Sequence, residues 1–106
     1  MPKYLIQGSY SDQGLKGLLE EGGSKRREAA EQSVKGLGGR LEAFYYAFGK
    51  HDFVVIADLP SNVDASALSL TANVSGAVKS RMTVLITPEE VDQATKKSIS
   101  YRAPGA

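Results

Sequence analysis

Apolar residues in this chain switch between a spacing of two and a spacing of three to four, and the switches mark out its elements. Tyr4-Leu5-Ile6-Gln7-Gly8-Ser9-Tyr10 has the aromatic and apolar content of a first strand. Ser11-Asp12-Gln13-Gly14 supplies turn and cap residues, and Leu15, Leu18 and Leu19 predict one or two helical turns that Gly22-Gly23 breaks. A longer helix follows, capped by Ser24 and running through Leu37, with Ala30, Val34 and Leu37 on one face. Gly38-Gly39 ends it. Within Arg40–Pro60, two aromatic and β-branched runs flank Gly49-Lys50-His51-Asp52 and predict a β-hairpin. Ser61-Asn62-Val63-Asp64 has the form of a capping box, and Val63, Ala67, Leu70 and Val74 trace the expected buried face of a helix that Gly76 stops. Ala77–Ile86 reads as a fourth strand with Val78, Met82, Val84 and Ile86 on one side. Thr87 as cap, Pro88 at the first helical position and Glu89-Glu90 behind it start a short helix ending near Lys96-Lys97.

The order is β-α-β-β-α-β plus a terminal helix, the ferredoxin-like pattern of an α+β domain. It predicts a four-stranded antiparallel sheet with the first and third strands central and helices on one face. Residues 1–97 form this single domain, and 98–106 read as a flexible tail. The third strand, Phe53–Leu59, is apolar on both parities, where a strand with one wet face should alternate. Four strands about 4.8 Å apart make a sheet roughly 20 Å wide. Two helices packed about 10 Å apart cover one face of it. The second face therefore needs the terminal helix, a second subunit or a ligand. That helix offers chiefly Val91 and Ala94 and makes a poor lid, so a homodimer or higher homo-oligomer through the sheet face is the expectation.

Composition narrows the function classes. Thirteen basic and twelve acidic residues leave a net charge of +1, which provides no long-range field for nucleic acid or an anionic membrane. With no cysteine there is no disulfide framework, thiolate nucleophile or zinc–thiolate site. No apolar run approaches the length of a membrane span, and no signal-peptide pattern follows Met1. A cytoplasmic protein is expected. Neither a nucleophile elbow, a zinc-protease helix nor a dinucleotide fingerprint occurs.

Few side chains carry chemistry. His51, the one histidine, stands beside Asp52 and suits a general base or proton shuttle. Neighbours on a strand point to opposite faces, so the pair equally suits a solvated turn in which Asp52 bonds backbone amides. One histidine falls short of a clustered metal site, and no metal is expected; an axial haem ligand is the remaining option for it. Phe44, Tyr46 and Phe48 share one strand face and, with Tyr10, frame either an aromatic-lined pocket for a small apolar or aromatic ligand or ordinary core. Gln13 can turn an amide towards such a cavity. Gly22-Gly23-Ser24-Lys25-Arg26-Arg27 presents amides and cations to a phosphate, or forms a solvated loop, and lacks P-loop spacing.

Ser11-Asp12-Gln13-Gly14 after the first strand, Gly38-Gly39 before the second, and Tyr45-Tyr46-x-x-Gly49-x-His51-Asp52 at the hairpin resemble the GYD-domain family over roughly residues 3–95. His51 stands where that family usually has tyrosine, and Tyr46 where it usually has tryptophan. The resemblance implies a dimeric α/β-barrel type of ferredoxin-like fold and homo-oligomers. It carries no established activity; related barrels include cofactor-independent monooxygenases, haem-handling proteins and ligand sensors. Three expectations follow. The first is a homo-oligomeric module that binds a small molecule or only assembles, with no cofactor. The second is an enzyme of the cofactor-independent monooxygenase or isomerase type, with His51 as base and Tyr46 or Tyr10 orienting the substrate. The third is haem binding through His51.

Overall fold

The computed structural model describes residues 1–106 and orders them as β1 (Lys3–Tyr10), α1 (Asp12–Glu21), α2 (Gly23–Gly36), β2 (Arg40–Tyr46), β3 (Phe53–Asp58), α3 (Asn62–Val74), β4 (Val78–Leu85) and α4 (Pro88–Thr95). Local signals explain most boundaries. The Ser11 hydroxyl accepts from the Gly14 amide to open α1, the Ser61 hydroxyl accepts from the Asp64 amide to open α3, and Thr87 with Glu90 forms a reciprocal capping box at α4. The first helix is longer than its apolar content suggested, at 10 residues. Only Gly22, at φ 85°, separates it from α2, so Gly22 rather than Ser24 precedes the longer helix. Gly38 takes the left-handed conformation expected after α2.

The sheet is antiparallel throughout, in the order β2-β3-β1-β4, so the first and third strands are central. Its helical face carries Tyr4 and Ile6 from β1, Phe53, Val55 and Ala57 from β3, and Leu59 just beyond, all buried. A bulge at Glu42 resets the parity of β2, so that Leu41 and Phe44 both join this side. The same bulge delivers Glu42 to the opposite face, where its carboxylate meets Lys3 Nζ at 2.6 Å.

That opposite face is open. Leu5, Val54 and Ile56 line its centre with Ala43 and Tyr45 beside them, the latter 70% exposed. One end is charged: Lys3, Asp58 and Arg40 lie in register, with Asp58 bonded to Lys3 at 3.0 Å and to Arg40 at 3.2 Å. The Lys3 ammonium, aided by Arg40, holds the Asp58 carboxyl below the usual carboxylate range; Glu42 and then Asp58 raise the Lys3 ammonium above the ordinary lysine value.

α2 packs over β2 and α3 over β4. The rotation of α3 departs from its apolar periodicity. Val63, Ala67, Leu70 and Val74, the expected buried face, lie outside, with Val74 84% exposed. Ala65, Leu68, Ser69 and Ala72 face the sheet instead. Polar clamps set this rotation. Asn73 accepts from the Ser80 amide at 2.7 Å and donates to the Ser80 carbonyl at 3.3 Å, occupying part of the free edge of β4 as a strand would. At the other end the Tyr4 hydroxyl donates to Asn62 at 2.6 Å. Because α3 scatters small polar residues among its apolar ones all round, periodicity alone gives it no clear wet face.

From Ile86 onward every residue is exposed, including Ile99 and Tyr101. α4 therefore covers neither sheet face. The arm stretches the molecule to 56 Å against 33 and 22 Å in the other directions, and its 16.9 Å radius of gyration exceeds the roughly 13 Å of a compact chain of this length.

Candidate functional site

The helices present small residues to the sheet where a filled core would have leucines. α2 contributes Ala29, Ala30 and Ser33 beside Val34, and α3 contributes Ser69 and Ala72 beside Leu68. Side chains this short cannot span the gap between helix and strand, and an apolar cavity of about 180 Å³ results. Its floor is Ile6, Phe44, Phe53 and Val55, and Val78 and Met82 close the β4 side. Gly8 matters to that floor. A Cβ on Gly8 would lie 2.6 Å from the Phe53 ring and 2.6 Å from the Lys79 carbonyl oxygen, so glycine lets Phe53 lie across β1.

Aromatic rings form a continuous chain along one end. Tyr10 meets Phe53 at 5.3 Å, Phe53 meets Phe44 at 6.4 Å, Phe44 meets Tyr46 at 5.2 Å, and Tyr46 stacks on Phe48 at 5.8 Å. The Tyr46 hydroxyl donates to the Gly23 carbonyl at 3.1 Å, which fixes the start of α2 over β2. Tyr10 lies beside Tyr46 and Arg26; burial first, and then Tyr46, push its phenol up to about 12. It is therefore a neutral O–H donor at any physiological pH.

Of the residues singled out from the sequence, Tyr10 and Phe44 line the cavity and Tyr46 backs it. Phe48 lies beyond the end of β2 with φ 53°, so it leaves the strand alternation and reaches the cluster only by stacking on Tyr46. Gln13 is exposed on α1 and does not line the cavity. His51 is half-buried in the β2–β3 connection and also lies outside the cavity lining. Asp52 ties that connection to β1: its amide donates to the Gly8 carbonyl at 2.8 Å and its carboxylate accepts from the Tyr10 amide at 2.9 Å. His51 and Asp52 are thus not brought to the cavity together. Arg26, one of a run of cations in the sequence, also lines the cavity. Of Lys25, Arg26 and Arg27 it alone turns towards the sheet, a consequence of the helical spacing Arg26, Ala30, Ser33.

No group of histidine, cysteine, aspartate or glutamate side chains is arranged to hold a metal ion. No helix is long and apolar enough to cross a membrane. The family model for the GYD domain matches residues 4–95, the stretch that builds the sheet, its helices and the cavity. The chain belongs to the GYD-domain family. No curated protein matches this GYD-domain chain. The match takes in every secondary-structure element apart from Lys3 at the start of β1, and the residues beyond Thr95 lie outside it.

Proposed function

We propose that this GYD-domain protein is a homo-oligomeric module that binds a small apolar or aromatic molecule between its helices and its sheet. The observation that carries this reading is the apolar cavity of about 180 Å³, created by alanine and serine on the inner faces of α2 and α3. Empty apolar space forfeits dispersion contacts that a ligand would restore. Its aromatic floor and few polar rim groups match the general make-up of small-molecule sites. Thermal denaturation against monocyclic aromatic and short aliphatic compounds tests the proposal. A binder at a hundred times its Kd stabilises the fold by about 2.7 kcal/mol. Ala72→Leu, which fills the cavity from α3, should cancel the shift. A broad panel that leaves the transition unmoved removes ligand binding and leaves assembly alone.

Assembly is supported by a separate observation, the apolar centre of the open sheet face at Leu5, Val54 and Ile56, which α4 leaves bare. Two copies meeting face to face, sheets about 10 Å apart, would take these residues from water. The Lys3, Arg40, Glu42 and Asp58 charges at one end of that face pair with one another, and the unpaired Lys79 and Arg81 lie on the edge strand β4, where they would stay at the wet rim. A cysteine-free chain suits the reducing cytoplasm, the compartment we assign.

A further inference from the structure

We infer that the ligand is a small monocarboxylic acid, its hydrocarbon body in the cavity and its carboxylate against Arg26 and the Tyr10 hydroxyl; the inference rests on the binding reading above. Arg26 is the one ionised side chain among the residues lining the cavity. Its single ion-pair partner, Glu21, stands 3.8 Å away and is itself partly exposed, which leaves most of the guanidinium donors unengaged. Next to it lies the Tyr10 phenol, whose high pKa keeps its proton in place and whose hydroxyl has the Tyr46 hydroxyl and Arg26 as its hydrogen-bonding neighbours. Because Tyr46 sends its own proton to the Gly23 carbonyl, its neutral oxygen is the acceptor open to Tyr10 in the protein, and a carboxylate held by Arg26 is a stronger acceptor that would displace it.

This end of the cavity therefore offers donors facing apolar walls, and the complementary head group is rich in acceptors. A carboxylate meets a guanidinium in the plane of both groups and takes a phenol proton on its second lone pair. One cation matches one negative charge; a phosphate dianion or a dicarboxylate would carry excess charge into an apolar slot. Size sets the body of the molecule. An apolar cavity of about 150 Å³ accommodates benzene. At about 180 Å³ the space here suits one aromatic ring or a branched chain with a single small head.

The experiment compares benzoate, benzamide and toluene as probes of the full chain by titration calorimetry, in the wild type and in Arg26→Gln. The expected result is that benzoate binds about tenfold or more tightly than benzamide, the usual advantage of a charge-assisted hydrogen bond. Arg26→Gln should erase that advantage, bringing benzoate to the level of benzamide in the same variant, and Tyr10→Phe should reduce it in part. Equal affinity for acid and amide, or an acid preference that survives Arg26→Gln, overturns the inference. Toluene and benzamide binding without an acid preference would overturn it and leave the cavity reading standing. Failure of all three probes would remove both.

Discussion

The two faces of this sheet are built by the same strands and meet different fates. On the helical side, Tyr4, Val55, Ala57 and Leu59 are buried by α2 and α3, and the shortfall in side-chain volume opens a cavity. On the other side, Leu5, Val54 and Ile56 have no covering element, and the last helix of the chain, exposed along its whole length, does not pack on them. β3 shows the contrast within six residues, since its alternate positions are apolar on both sides. Small residues on the helices and large ones on the bare face give the two sides different character: one encloses an apolar cavity, and the other is the surface on which the proposed assembly rests.

Substitution should separate the two faces most sharply at Leu59 and Ile56. Leu59, wholly buried at 0% exposure, should cost about 2–5 kcal/mol on truncation to alanine, read as a fall in the urea midpoint without loss of subunit association. Ile56→Ser should cost the isolated chain less and lower the oligomeric mass instead. If both substitutions give the same pattern, the faces are not functionally distinct. A smaller effect is expected at Asn73. Asn73→Ala leaves the Ser80 amide and carbonyl without partners on the β4 edge and should destabilise by about 1–3 kcal/mol, with faster hydrogen exchange at Ser80. An unchanged Ser80 exchange rate would show that the clamp does not set the rotation of α3.

The smallest effects come from pH and also divide by face. Asp58, on the open side, has its folded pKa lowered by Lys3 and Arg40, so its contribution is present above the unfolded value of 3.8 and is lost as pH falls through the lower folded value. Tyr10, on the cavity side, has its folded pKa raised from 10.0 to about 12, so its contribution is present below pH 10 and is lost as pH rises towards 12. Stability curves followed at both extremes should show Asp58→Asn flattening only the acid limb and Tyr10→Phe only the alkaline one.

Much of this architecture is legible in the sequence because its signals are local. Ser11, Ser61 and Thr87 cap their helices through hydrogen bonds three residues away, and Gly22 and Gly38 break the chain by their own φ angles. The doubly apolar third strand announces both a buried face and a bare one. What is not legible depends on partners distant in the chain. The rotation of α3 is set by Asn73 on Ser80 and Asn62 on Tyr4, against the pull of Val63, Leu70 and Val74. The bulge at Glu42 is invisible without β3 opposite it. At the site, the aromatic residues Tyr10 and Phe44 stand out by type, whereas the cavity comes from alanines and serines whose smallness gains meaning only once two helices face one sheet. Arg26 is hidden among neighbouring cations until helical spacing turns it inward. His51 draws attention by being unique, yet it lies in the β2–β3 connection and outside the cavity lining.

The division of labour between the faces is tested most directly by the solution mass of the full chain from light scattering at micromolar concentration, beside Ile56→Ser. The account predicts a mass of at least twice the 11.3 kDa chain for the wild type and a shift towards the single-chain value for the variant. A wild-type mass of one chain would contradict it, because the bare apolar face would then be stable in water without a partner.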